Sequence, residues 1–193
     1  MLNALLVAAA LLSQTPAVTD APPPAPSPDP PKWEVYSALI GGIRPDASLG
    51  GGGGALIGVN RRLTSWLRPE IAVGLGAYAG PGQLVTLIKI GTRLEWPNDA
   101  RLKPYLWLAF AHNHEVGFDD AKRNPISSAL GLSEDGVNHR SGIDTGLGLS
   151  LDLPKGKEAK FAGRLNARAS MTNLLGSGPP RYVDLTVSLG LLF

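Results

Sequence analysis

The chain has 193 residues, with 18 Lys and Arg against 16 Asp and Glu and a formal net charge of +2. Charge this mild, with both signs mixed throughout, excludes a nucleic-acid partner held by electrostatics, and the absence of Cys excludes disulfides. Mean hydropathy of +0.04 is too polar for a bundle of membrane helices and suits a chain whose apolar residues alternate with polar ones.

Residues 1–20 read as an export signal. Leu2 to Leu12 is a short apolar run, followed by small residues around Ala17 and Ala21. The run is too short to cross a bilayer as a helix, and no Lys or Arg precedes it. Residues 21–31 (APPPAPSPDPP) are Pro-rich and extended, a linker expected to act as a periplasmic tether.

From residue 32 to residue 193 the sequence breaks into period-two segments of roughly ten residues, the length a tilted strand needs to cross a bilayer. The expected strands are Trp33–Arg44, Gly52–Arg62, Trp66–Ala79, Gln83–Trp96, Pro104–Glu115, Ser141–Leu153, Lys160–Leu174 and Arg181–Phe193. No segment sustains a helical period. The fold class is therefore all-β, a closed up-and-down antiparallel barrel of about eight strands. With both termini in the periplasm, the first, third, fifth and seventh connections face outward, and the longest, Gly117–Arg140, takes one of those slots. The Gly50–Gly54 run is not a phosphate loop, because no Lys-Ser/Thr follows and no helix opens there.

The closing strand is amphipathic: Val183, Leu185, Val187, Leu189, Leu191 and Phe193 share one face, and Asp184, Thr186, Ser188 and Gly190 the other. Parity extends an apolar outer face through the other strands, with Leu147, Leu149, Leu151, Leu165, Ile71, Val73, Ile88 and Ile90 on it. The opposite face collects an interior charge network of Glu34, Arg62, Arg68, Glu70, Lys89, Arg93, Glu95, Asp144, Asp152, Arg164, Arg168 and Asp184. Interleaved cations and carboxylates can satisfy one another in a narrow lumen. Arg164 should lie diagonal to Asp152 and Arg168 diagonal to Asp144, with inward Gly142, Gly146 and Gly148 leaving room for the guanidinium stems. An eight-stranded interior is just wide enough for side chains, so the lumen reads as filled. Among the aromatics, Trp33, Trp66, Trp96, Tyr105, Trp107, Phe161 and Phe193 should form a girdle at the periplasmic rim, with Tyr78, Phe110 and Tyr182 at the outer one.

A terminal amphipathic strand ending on Phe193, together with this pattern of strands, resembles the small eight-stranded bacterial outer-membrane barrels of the kind formed by the membrane domain of outer-membrane protein A and its single-domain relatives. The resemblance covers residues 32–193 and departs from the family at Leu191, where a Tyr is frequent. It implies that Phe193 belongs to the signal read by the barrel-insertion machinery. It also implies a Gram-negative outer membrane with lipopolysaccharide as a partner, periplasmic N- and C-termini, and a monomer. No nucleic-acid partner is implied.

All three histidines lie at the base of the long connection. His112 and His114 share one face of a strand and His139 returns beside them, with Glu115, Asp119, Asp120, Glu134 and Asp135 near. Imidazoles and a carboxylate so placed could bind a divalent metal; no other cofactor is expected. A lipid A deacylase or phospholipase needs a hydroxyl beside a histidine and a third orienting group, and Ser127, Ser128, Ser133 and Ser141 lack such a spacing. The sequence thus points to a non-enzymatic barrel with a plugged polar interior and a structural or surface-recognition and adhesion role. A metal- or ligand-binding surface barrel, a small-solute channel and a lipid-modifying enzyme are the alternatives. A soluble lipocalin-like barrel is the rival fold, and it would turn the Leu-rich faces inward.

Overall fold

The computed structural model describes residues 32–45, 50–79, 82–98, 100–123, 125–130, 136–156, 159–176 and 181–193. The expected export signal and Pro-rich linker lie outside them. Eight antiparallel strands, β1 (Trp33–Arg44), β2 (Gly50–Arg61), β3 (Leu67–Tyr78), β4 (Gln83–Glu95), β5 (Leu102–Gly117), β6 (Val137–Asp152), β7 (Ala162–Leu174) and β8 (Arg181–Leu192), close into one barrel in chain order. Closure is direct: β1 pairs with β8 from Glu34↔Leu192 to Ile43↔Val183, and beyond the ladder the Phe193 N–H donates to the Trp33 carbonyl at 3.0 Å. Every strand therefore has two neighbours, and no backbone edge is left to solvent or lipid.

Alternation sorts the side chains as the period-two pattern requires, with the two environments inverted relative to a soluble barrel. Leu39, Ile57, Val73, Ile90, Leu106, Leu147, Leu165 and Leu189, one from each strand, stand exposed on the outer wall. Glu34, Glu70, Lys89, Arg93, Asp144, Arg164 and Asp184 are buried in the lumen. A continuous apolar exterior around a polar interior is the arrangement of a transmembrane barrel. The lipocalin-like alternative requires the reverse.

Several expectations are corrected. Trp107 does not belong to a rim girdle. It faces inward, 2% exposed, as do Tyr105, Tyr78 and Tyr182. Three Trp (Trp33, Trp66 and Trp96) do stand outward, at the end of the barrel that holds both strand termini, beside Phe161 and Phe193. Trp107, Tyr78 and Tyr182 instead find carboxylate partners in the lumen, which satisfies a buried aromatic donor as a wet interface would. Arg62 is not in the interior. β2 ends at Arg61, so Arg62 falls in the following turn, where its Nε donates to the Thr64 carbonyl at 3.2 Å.

β5 and β6 are longer than the alternation suggested, pairing as far as Val116↔Val137. The segment between them contains two short helices, α1 (Phe118–Arg123) and α2 (Pro125–Leu130). Each is too short to show a hydrophobic period. The ladder lengthens the wall at the end away from the termini, and it carries His139 out of the expected connection and onto β6.

Candidate functional site

Two constellations of polar residues are set by this register. The first fills the lumen. Near the end that holds the termini, Arg164 bridges acids: its Nε is 2.6 Å from Asp152 and its Nη1 is 2.7 Å from Glu95. Glu95 also receives Arg68 at 2.8 Å. Asp152 and Arg164 are direct cross-strand partners rather than diagonal ones, and Lys103 reaches Asp152 from β5 at 2.9 Å. Glu34 accepts from Asn60 and from Asn166, each at 2.9 Å.

One layer further in, Glu70 is the hub. Tyr36 Oη donates to it at 2.6 Å, Arg168 Nη1 lies at 3.2 Å, and Arg93 Nε makes a close ion pair with its second oxygen. Arg168 therefore crosses the lumen to Glu70 instead of meeting Asp144, and its guanidinium stacks over the Trp107 ring at 4.2 Å. The register explains the difference, because Arg168 is paired with Gly148 while Asp144 is paired with Thr172. Asp144 instead takes Lys89 Nζ at 2.8 Å, Trp107 Nε1 at 2.8 Å and Thr172 Oγ1 at 3.1 Å. Asp184 accepts from Tyr78 Oη at 2.9 Å.

At the far end Glu115 gathers Tyr182 Oη at 2.5 Å, Arg140 at 3.5 Å and Arg44 at 3.7 Å. Tyr36, Arg44, Asn60, Tyr78, Tyr105, Trp107, Glu115, Arg140, Asn166 and Tyr182 are interior partners that the sequence reading missed. Most follow the inward parity of their strands, so the signal was present once an amide, indole or phenol is counted with the charges. Among the described residues the lumen holds a void of about 10 Å³, between Tyr36, Arg93, Tyr105, Asn166, Arg168, Thr186 and Ser188. That is about the least that holds one water.

The second constellation lies on the outer wall. His112 and His114 project from β5, and His139, the direct register partner of His114, from β6. Ring centroids are 4.8 Å apart for His112 and His114, 4.6 Å for His114 and His139, and 5.9 Å for His112 and His139. One nitrogen from each ring lies within 4.8 Å of the others. Phe110 and Ile143 are the last exposed apolar residues below them on the same two strands, so the cluster sits just beyond the apolar belt.

His112 Nδ1 and Ser141 Oγ are 2.9 Å apart across the ladder, a pairing that linear spacing did not reveal. His114 is 8% exposed, and its Nδ1 has no hydrogen-bond partner among the described residues. Of the acids expected nearby, Glu115 points into the lumen on the other side of the wall, because it is odd-numbered on a strand whose outward residues are even. Asp119 and Asp120 pair with Lys122 and Arg123 within α1. Glu134 and Asp135 lie outside the described residues.

No family model matches the sequence, and no curated protein matches it. Among solved structures, the barrel is similar to the crystal structure of Neisserial surface protein A, with a TM-score of 0.56 and 11% identity over 83% of this chain and 97% of that one. It is likewise similar to Ail, the attachment invasion locus protein of Yersinia pestis, with a TM-score of 0.53 and 8% identity over 85% and 99% of the two chains. At these identities the likeness is one of fold: a small eight-stranded barrel.

Proposed function

We propose that this chain is a non-enzymatic outer-membrane barrel that seals its own lumen and acts as a rigid frame for the segment Gly117–Arg140, in a structural or surface-recognition role. The observation that carries the reading is the inversion of the wall. Exposed aliphatic side chains on all eight strands need a hydrocarbon solvent, while a lumen crowded with ion pairs around a water-sized void supports a sealed interior. The names of the two similar barrels, a surface protein and an attachment invasion locus protein, favour display at the cell surface. Both strand termini lie at one end and the longest connection at the other, which suits periplasmic termini and an outward-facing helical segment. Outer-membrane lipid, lipopolysaccharide and the insertion machinery are the partners this reading entails.

The test combines two measurements. In planar bilayers the folded protein should give conductance at background, and an epitope inserted between Ser133 and Glu134 should be reached by antibody on intact cells. Steady single-channel steps, or an epitope reached only after permeabilisation, would overturn the reading.

A second reading has one specific observation in its favour. The Ser141–His112 contact is the kind of hydroxyl–imidazole pair an ester hydrolase uses. Among the described residues no carboxylate hydrogen-bonds the His112 ring, so the third, orienting group is missing. Mass spectrometry of lipid A from cells with and without the protein separates the two readings. An acyl chain lost with the wild type and retained with Ser141→Ala would establish the enzyme.

A further inference from the structure

We propose that His112, His114 and His139 form a divalent transition-metal site on the outer wall of the barrel, suited to an ion of the Zn²⁺, Ni²⁺ or Cu²⁺ class. The site does not rest on the surface role above. It follows from what the β5–β6 ladder does to the chain's three histidines.

Two histidines at i and i+2 on a strand must share a face, and a third in direct register on the neighbouring strand must stand beside them. The wall itself, rather than a loop, therefore fixes the three Cβ positions. A tetrahedral ion held at 2.0–2.1 Å by each nitrogen needs those nitrogens about 3.4 Å apart. They already lie within 4.8 Å of one another, so at most about 1.4 Å of closing separates the present arrangement from that spacing.

Two independent details point to a ligand. His114 is more than nine-tenths buried against its neighbours, yet its Nδ1 has no hydrogen-bond partner among the described residues. Leaving a buried polar atom unmatched is unfavourable, and coordination would satisfy it. Ser141 Oγ, 2.9 Å from His112 Nδ1, supplies the outer partner that orients a ligating ring and leaves Nε2 to face the ion.

The donor set also selects the ion. Imidazoles suit zinc, nickel and copper, whereas calcium and magnesium need oxygen ligands, and the nearest strand carboxylate, Glu115, is committed to the lumen. Three histidines leave a fourth position open, and the exposure of His139 turns it toward the layer just outside the apolar belt. Water or an anionic headgroup oxygen could occupy it.

The experiment uses the full chain folded in detergent, its fold verified by the heat-dependent shift in gel mobility. After treatment with EDTA it is titrated with Zn²⁺ by calorimetry and with Co²⁺ by visible absorption, in detergent alone and then with lipopolysaccharide added. One ion per barrel is expected, with Kd on the order of micromolar or tighter, and Co²⁺ should give the intense bands of four-coordinate nitrogen ligation. His139→Ala, at an exposed position, should weaken binding by at least about a hundredfold, and Ser141→Ala by roughly 10–100-fold. The double variant His112→Ala with His114→Ala should bind no ion. A Co²⁺ spectrum altered by lipopolysaccharide assigns the fourth position to a headgroup, and an unchanged one assigns it to water. Wild-type protein that takes up no stoichiometric ion, or folded variants that bind as tightly as wild type and so reveal an adventitious ion only, would overturn the site.

Discussion

The phenol ring of Tyr105 lies directly over Gly148, its register partner on β6. A Cβ at position 148 would stand 2.2 Å from Tyr105 Cζ. The same relation joins Tyr36 to Gly58 across β1 and β2, where the corresponding distance is 2.4 Å. Inward glycines thus exist here to let an aromatic ring lie flat against the wall, which keeps the lumen open enough for the arginines beyond it.

Gly148→Ala should therefore destabilise the barrel by about 1–3 kcal/mol through overpacking. Gly41→Ala, on a strand position with nothing within 4 Å of the new Cβ, should stay within about 0.5 kcal/mol. Urea unfolding midpoints in lipid vesicles read the difference. Equal midpoints would contradict the packing described for Tyr105.

Glu70 neutralises two guanidinium groups at once, so Glu70→Ala should cost about 3–5 kcal/mol by leaving Arg168 buried without its carboxylate and Arg93 with only the longer 3.6 Å contact to Glu34. The exposed pair Asp119–Lys122 gives the control, because Asp119→Ala should cost less than about 1 kcal/mol. The same unfolding assay reports both.

Much of this was legible in the sequence. Period-two alternation locates all eight strands because one face had to be apolar and the other polar, and parity puts Arg164 and Asp152 on one inward face, though as direct partners and not the expected diagonal ones. What it could not give is which residues meet across the lumen. Arg168 and Glu70 are joined by barrel closure and strand stagger, which no local pattern encodes. Trp107 shows a second limit. An indole near a strand end suits a membrane interface, and only the presence of Asp144 within reach of its Nε1–H makes the interior the better place. The His112–Ser141 contact was hidden for a third reason: the polar residues of Val137–Arg140 gave no sign that β6 begins so early.

Single-Trp variants can check the aromatic assignment. Trp33, Trp66 and Trp96 are 41%, 45% and 68% exposed on the outer wall, so brominated lipid should quench each of them. A variant that retains only Trp107 should resist both brominated lipid and iodide. Quenching of Trp107 equal to that of Trp66 would place its ring outside.

A charge on the outer wall should be far more costly than on any soluble protein. Leu39 lies near the middle of β1 and is 72% exposed. Leu39→Arg should lower stability in vesicles by about 2–4 kcal/mol, the cost of Arg near a bilayer midplane. On a water-facing strand the same change would be close to neutral.

The most direct measurement is fractionation of a Gram-negative cell that expresses the full chain, with boiled and unboiled samples compared on a gel. The barrel should sediment with the outer membrane, resist salt and alkaline extraction, leave the membrane only in detergent, and change mobility on boiling. Recovery as a soluble protein without detergent, or identical mobility before and after boiling, would contradict a transmembrane barrel with an apolar wall and a sealed polar core.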